Sequence, residues 1–409
     1  ATARGQNVLV IQPDSLQRFV IGRRVAGVEI TPNLNRATRE GLWFSRIQDQ
    51  TAQGRTSDAE FAVATSLLPL PSGAVAFRFP DNRYAALPGI LRDAGYSTLS
   101  AAPFDGSFWN RSVIHRTYGF EQSLFNWDFE PGETVGWGLN DRDFFLQMVP
   151  RLKRQRQPFL AWMISLSLHY PFDAFPDDLR RLSAPRGEGT LGNHTRSDSR
   201  GSAAENHSGC DFPACGLPPT VANYREAMHL FDRAYGEFLE ALGREGLADN
   251  TVVVVFGDHD AGFTSDELAT LGLQNAGDAG RRIWFDEVPL IIRGPAVAPL
   301  AREYPMVGGE IDFAPTLLSL LGIDPRPFRF LGYDLLAGER PGPVVKPNGD
   351  WISERHVFAT PMSGASKPQC FATPYLEPVP LKNCGVEQHQ ATRLLKVSDA
   401  VIRLDRQVR

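Results

Sequence analysis

The chain has 409 residues, 42% of them hydrophobic and 22% charged, with a formal net charge of −5. Those values fit one large globular α/β domain, or one such domain with a smaller appendage. The slightly acidic balance offers no basic field for nucleic acid, and no apolar run reaches the length of a membrane span.

The chain opens Ala1-Thr-Ala-Arg-Gly-Gln6 and enters a core strand almost at once, as a domain cut from something longer would. Asn7 to Gln12 reads as a buried strand, with Asp14 just beyond its end. A turn Asp there serves either as a helix cap or as a ligand. Thr31 to Asn35 reads as a turn into a short helix, leading to Trp43-Phe44 and a polar run from Gln48 to Arg55. In Gly54-Arg-Thr-Ser-Asp-Ala-Glu-Phe61, Asp58 and Glu60 favour a following helix from Ala59 to Leu68. Thr56 at its start is either a cap or a nucleophile placed among backbone N–H groups.

Tyr84 to Gly95 reads as a helix and Tyr96 to Ser100 as the next strand. The loop after it carries Trp109 and Arg111, a flat apolar wall beside a guanidinium that can grip phosphate oxygens. Phe159 to Ser167 is a further buried strand, with His169 past its end. From about 173 to 220 the composition shifts to Ser, Gly, Arg and Pro, a long insertion with glycosylation-type acceptors at Asn193 and Asn206. Tyr224 to Glu245 has helical spacing. Thr251 to Phe256 is a continuous β-branched strand that ends in Gly257-Asp258-His259, an oxygen and a nitrogen ligand at a strand's carboxyl end. Both can reach one ion only if the chain turns, which Gly257 permits. Val288 to Arg293 is another strand and Asp312 to Leu321 a helix.

The tail from about residue 341 is expected to form a small, mostly β subdomain with short strands such as Arg393-Leu-Leu-Lys-Val397. The four cysteines fall in two local pairs, Cys210 with Cys215 and Cys370 with Cys384. Two disulfides would place the chain in an oxidising compartment, and free surface thiols are the other reading. The fold class that follows is α/β, a doubly wound and mostly parallel sheet with helices on both faces. Residues 1–340 are expected to form the main domain and 341–409 the C-terminal subdomain.

Taken in order, Asn7-Val-Leu-Val-Ile11, Thr31-Pro-Asn-Leu-Asn35, Gly54 to Phe61, Ser107-Phe-Trp-Asn-Arg111, Ser167-Leu-His-Tyr-Pro-Phe172, Gly257-Asp-His259 and Asp312 to Leu318 form one ordered set. It resembles the catalytic domain of lipoteichoic acid synthases and related phosphoglycerol transferases, within the alkaline phosphatase and sulfatase superfamily. The resemblance runs from about Asn7 to Leu336. It implies Thr56 as nucleophile, with Asp14, Thr56, Asp258 and His259 around one divalent cation. Oxygen and imidazole ligands without thiolate suit manganese first, with magnesium or zinc as alternatives. Trp109, Arg111 and His169 would hold the phosphate and glycerol end of the substrate. The implied reaction moves phosphoglycerol from phosphatidylglycerol to a glycan or glycolipid hydroxyl through a covalent phosphothreonine-type intermediate. The implied place is the periplasmic face of the bacterial inner membrane, through an N-terminal anchor that precedes this chain.

Three departures stand out: Asp14 where the family usually has Glu, Ala102 where it has a pocket His, and the paired cysteines with the 173–220 insertion. A sulfatase would need a Cys or Ser in a different motif at the nucleophile, and a two-metal phosphatase a second Asp/His cluster. A phosphoethanolamine transferase shares the Thr nucleophile and is the nearest alternative. A glycerophosphate-binding module would not need Thr56.

Overall fold

The computed structural model describes residues 2–25, 27–173, 182, 217–271, 285–338, 340–361 and 367–408. Cys210, Cys215, Asn193 and Asn206 lie outside the described residues.

The main sheet is built from β1 (Asn7–Pro13), β2 (Leu42–Gln48), β3 (Ser97–Ala101), β4 (Gln122–Leu124), β5 (Phe159–Ser165), β6 (Thr251–Phe256), β7 (Glu287–Arg293) and β8 (Arg302–Gly309). Their spatial order is β8-β2-β7-β6-β1-β5-β3-β4. Every pairing is parallel except the two made by β7, which runs against β6 and β2. The sheet is therefore doubly wound and mostly parallel.

Its two faces feed two cores, as the period of a strand requires. Val8 and Val10 of β1 enter one cluster, and Leu9 and Ile11 enter the other. Helices α1 (Pro32–Glu40), α2 (Arg55–Thr65), α3 (Leu87–Asp93), α4 (Arg111–Tyr118), α5 (Asp141–Arg154), α6 (Pro219–Arg244) and α7 (Phe313–Leu321) cover both faces. Phe61, Leu91, Ile114 and Leu317 place α2, α3, α4 and α7 on the first face, while Leu34, Phe144 and Phe231 place α1, α5 and α6 on the second. A strand buried on both sides needs no polar alternation, which is why Val252 to Val255 are all apolar.

The tail forms a separate antiparallel sheet of β9 (Val344–Val345), β10 (Trp351–Ile352), β11 (His356–Ala359), β12 (Gln369–Ala372) and β13 (Glu377–Val379). It continues into α8 (Gly385–Arg403). The expectation of a short strand at Arg393 to Val397 is corrected here, because those residues lie inside α8. Ala391, Leu394 and Leu395 recur at helical spacing and pack against Trp351, Cys370 and Ala62 of α2, a pattern that a strand could not present. The Cys370–Cys384 disulfide ties β12 to the start of this helix.

Candidate active site

The carboxyl ends of β1, β2, β3, β5 and β6 open on the same edge of the sheet, and the loops there converge on a cleft of about 390 Å³. Asp14, Ser15, Arg55, Thr56, Trp109, His169 and His259 line it together with Phe108, Trp137, Tyr170, Ala261 and Gly262. Ligand sites at this edge are the rule for open α/β sheets.

Two loops make the floor. After β6 the chain passes so close to the first loop that a Cβ on Gly257 would lie 1.9 Å from the Leu16 carbonyl oxygen, so only glycine fits there. Close approach, rather than an unusual φ, is what the glycine provides. It brings Asp258 beneath Ser15, whose N–H donates to Asp258 Oδ1 at 2.8 Å. The Ser15 hydroxyl donates to Asp14 Oδ1 at 2.7 Å. Tyr224 of α6 buttresses the same loop, donating its hydroxyl to the Ser15 carbonyl at 2.9 Å and accepting from Gln17 N–H at 3.0 Å.

Thr56 sits in the first turn of α2, after a tight approach in which Asp58 Oδ2 accepts from the N–H groups of Ala52 and Gly54. A Cβ on Gly54 would fall 2.2 Å from Asp58 Oδ1, so this glycine too is a matter of space. Thr56 Oγ1 donates to Asp14 Oδ2 at 3.3 Å and lies 3.3 Å from His259 Nε2. His259 Nε2 is 3.5 Å from Asp258 Oδ2. Ser15, Arg55 and Trp109, all on the cleft wall, have positive φ of 56°, 42° and 53°, so strained backbone gathers at the site.

His259 Nδ1 lies 2.8 Å from the Asp260 carbonyl oxygen, which can only accept. Arg55 Nη2, which can only donate, lies 3.0 Å from the same Nδ1, and Nε2 faces Asp14, Asp258 and Thr56. Arg55 pairs with the Asp260 carboxylate at 2.7 Å and with its carbonyl at 2.6 Å, bracing the ring from behind.

The electrostatics of the floor are lopsided. Burial drives the Asp258 carboxyl up to about 7 against the pull of His259, and the neighbouring Asp14 adds to the rise. Burial also opposes ionisation of Asp14, yet His259, His169, the Ser15 hydroxyl and Arg55 together hold it below the ordinary carboxylate range. Burial lowers His259, while Asp258 raises it further, leaving it above its ordinary value. Asp258 Oδ2 is buried with no hydrogen-bond partner. One ligand atom from each of Asp14, Asp258 and His259 lies within 4.8 Å of the others. Two carboxylates, an imidazole nitrogen and an adjacent hydroxyl, with one acceptor unsatisfied, fit a hard or borderline divalent cation.

The other residues singled out from sequence separate. Trp109 and His169 line the cleft, and His169 Nδ1 donates to the Tyr170 carbonyl at 2.8 Å. Arg111 is not on the cleft wall. It opens α4, is 1% exposed, and gives Nε and Nη2 to Glu60 at 3.0 and 2.7 Å. His115 Nε2 holds the other Glu60 oxygen at 2.8 Å. Arg111 Nη1 is buried without a partner.

Sequence reasoning passed over Ser15, Arg55, Asp260, Phe108, Trp137 and Tyr170. Asp260 could have been suspected from its place beside His259. Trp137 carries no local signal: it sits at the turn of a two-stranded hairpin, Thr134–Val135 with Gly138–Leu139, that delivers it onto His169 with ring centroids 3.8 Å apart.

Comparison with known proteins agrees with this geometry. The chain is 30% identical over 363 residues to lipoteichoic acid synthase 2 of Bacillus subtilis (strain 168), covering 87% of this chain and 51% of that protein. It is 27% identical over 369 residues to lipoteichoic acid synthase of Staphylococcus aureus (strain USA300), again 87% and 51%. The chain thus spans about half the length of the curated relatives it matches. Among solved structures, the lipoteichoic acid synthase LtaP from Listeria monocytogenes superposes with a TM-score of 0.81 at 24% identity, over 98% of this chain and 93% of that one. Streptococcus pyogenes phosphoglycerol transferase GacH, in complex with sn-glycerol-1-phosphate, gives 0.53 at 16% identity over 79% and 76%. The Sulfatase family model matches residues 6–323. With that match over most of its length, and with an Asp/His/Thr floor at the carboxyl edge of a doubly wound sheet, the chain belongs to the sulfatase family and is similar to lipoteichoic acid synthases.

Proposed function

We propose that this chain transfers phosphoglycerol from phosphatidylglycerol to a hydroxyl of a glycan or glycolipid, with Thr56 as the nucleophile. The observation that carries the reading is the position of Thr56 Oγ1, 3.3 Å from both Asp14 Oδ2 and His259 Nε2 on the floor of an open cleft. Asp14, Asp258, His259 and the Thr56 hydroxyl would hold one divalent cation, manganese before magnesium or zinc. When bound, such a cation lowers the hydroxyl pKa and neutralises phosphoryl charge.

In the first half-reaction Thr56 Oγ1 bonds to phosphorus and the bond to the diacylglycerol oxygen breaks, that oxygen leaving with one proton. In the second, an acceptor hydroxyl oxygen replaces Oγ1 on phosphorus and its proton returns to Thr56. His169 would meet the glycerol end of the donor from the cleft wall, whereas Arg111, 1% exposed and paired with Glu60, stands behind that wall and is withdrawn from the substrate-binding set. Trp109 walls the glycerol. The names of the lipoteichoic acid synthase relatives and of the phosphoglycerol transferase neighbour support this donor group. The Cys370–Cys384 disulfide supports an extracytoplasmic setting, at the periplasmic face of a bacterial inner membrane, with an anchor elsewhere in the full protein. No helix of the described residues is long and apolar enough to cross a membrane.

The test is incubation with labelled phosphatidylglycerol or phosphatidylethanolamine in manganese, followed by mass spectrometry of the Thr56 peptide. A phosphoglycerol adduct supports the proposal. A phosphoethanolamine adduct would assign the other donor, and release of free glycerophosphate without acceptor modification would make the protein a hydrolase.

A further inference from the structure

Trp109 belongs to a wider group of aromatic side chains at the cleft. Phe77, Phe104, Phe108, Trp109, Trp137 and Tyr170 stand around its mouth, and five of the six touch ring to ring. Phe77 meets Trp109 at 6.1 Å, Trp109 meets Phe108 at 5.4 Å, and Phe108 meets Trp137 at 5.7 Å. Phe104 bridges Phe108 and Trp137 at 5.1 and 6.0 Å. Tyr170 follows His169, on which Trp137 stacks, and lines the same cleft. Phe77 is 56% exposed, Tyr170 53% and Trp137 42%. Phe104, Phe108 and Trp109 between them are half-buried; a core would bury all six, and a contiguous, partly exposed set marks a contact surface.

We infer that this aromatic rim seats the cleft mouth on the headgroup region of a phospholipid bilayer, so that a donor lipid can present its phosphate to Thr56 without leaving the membrane. The inference deepens the proposed function and rests on its lipid donor. Two observations choose a lipid surface over a sugar chain. Phe77, Phe104 and Phe108 offer no hydrogen-bonding group, whereas a sugar-binding wall needs partners for hydroxyls. Of the polar groups nearest the rings, Asn110 is turned inward, its Nδ2 donating to the Ala76 carbonyl at 2.8 Å, while the exposed Asp105 carboxylate accepts from Ser107 N–H at 2.7 Å. Phe with Trp and Tyr, apolar bodies edged by wet ring atoms, is the composition that settles at bilayer interfaces. The rim also borders the floor directly, since Phe108, Trp109, Trp137 and Tyr170 share the cleft wall with Thr56.

The experiment sediments the full 409-residue chain with phosphatidylcholine vesicles, with and without phosphatidylglycerol, alongside four variants. These are Thr56→Ala, Phe77→Ser, the double Phe77→Ser with Trp137→Ser, and Tyr375→Ser, a site 84% exposed in the C-terminal sheet region. The wild type and Thr56→Ala are expected to pellet with vesicles, the double variant to partition roughly tenfold less, and Tyr375→Ser to behave as wild type. Phe77 does not line the cleft, so Phe77→Ser should slow turnover of vesicle-embedded donor while sparing a water-soluble phosphoglycerol ester. Circular dichroism confirms that the double variant is folded.

Wild-type protein left in the supernatant, undiminished binding by the double variant, or an equal loss in Tyr375→Ser overturns the inference. So does a rim variant that keeps vesicle binding and loses affinity for a soluble oligosaccharide, which would make the rim a glycan platform. Binding of the inactive Thr56→Ala protein is read without turnover, so a failure of the lipid seat and a failure of the transfer reaction give different results.

Discussion

Thr56 and Glu60 are one turn apart on α2, and each belongs to a buried polar cluster of a different kind. Around Glu60 the charges are matched. Burial opposes its ionisation, but Arg111 and His115 outweigh that and hold the carboxyl down at about 2. The chain of bonds runs on from His115 Nδ1 to Ser100 at 2.9 Å and from Ser100 to Ser123 at 2.8 Å. Around Thr56 the acceptors outnumber the donors: Asp258 is pushed up to about 7 and its Oδ2 has no partner. A cluster whose charges are matched holds the fold; a cluster left short of positive charge is one that a cation completes.

The largest test of this contrast is catalytic. Thr56→Ala should lower phosphatidylglycerol turnover by about 10⁴-fold or more, as loss of a nucleophile does, while leaving the urea midpoint nearly unchanged. If turnover survives, the unsatisfied cluster is not where the chemistry occurs.

Next comes stability. Glu60→Ala strands the Arg111 guanidinium in a site where it is 1% exposed, and should cost about 3–5 kcal/mol in urea unfolding. The pH dependence has a definite sign. Glu60 has a folded pKa of about 2, below its ordinary 4.5, so its contribution is present above pH 4.5 and disappears as pH falls toward 2. The gap between wild type and Glu60→Ala should therefore be flat near neutrality and narrow in acid. A gap that widened in acid would mean that the pair is not an ion pair.

Manganese should act on the other cluster alone. At about one hundred times its dissociation constant it should stabilise the wild type and Glu60→Ala by about 2.7 kcal/mol each, read as a shift in thermal melting against chelator. Asp258→Asn should show no shift. An equal shift in that variant would remove Asp258 from the ligand set.

The smallest effect separates the clusters most directly. In chelator, Asp258→Asn relieves the crowding of two carboxylates while its side-chain oxygen still accepts from Ser15, so it should be about 1 kcal/mol more stable than wild type near neutral pH. One carboxyl removed would then stabilise, and the other, four residues from Thr56, would destabilise.

Several elements were legible in the residues because their signals are local. Asn7 to Pro13, Phe159 to Ser165 and Thr251 to Phe256 are continuous apolar strands, and Asp14, His169 and His259 were placed correctly just past strand ends. Strand β2 was not read, because Leu42-Trp-Phe-Ser-Arg-Ile-Gln48 mixes polar residues into a run whose burial comes from neighbours on both sides. The reversed direction of β7 leaves no trace in its own sequence, which looks like any other buried strand. In the tail, Leu394-Leu395 suggested a strand, and only the packing of Ala391 and its helical neighbours against Trp351 settles that segment as α8.

The same division holds at the site. Residue types and order by themselves determined the doubly wound class, the nucleophile candidate and the cation-ligand candidates, since those depend on hydrophobic runs and on chemistry carried by single side chains. Tertiary structure decided which groups meet. Left-handed backbone at Trp109 and Asn110 sends Trp109 to the cleft and Arg111 down to Glu60, although two positions separate them in sequence. A hairpin lays Trp137 on His169, and the Leu16 carbonyl forces glycine at 257 so that Asp258 can pass beneath Ser15. Contacts between residues so far apart in the chain are fixed by packing, and no local pattern encodes them.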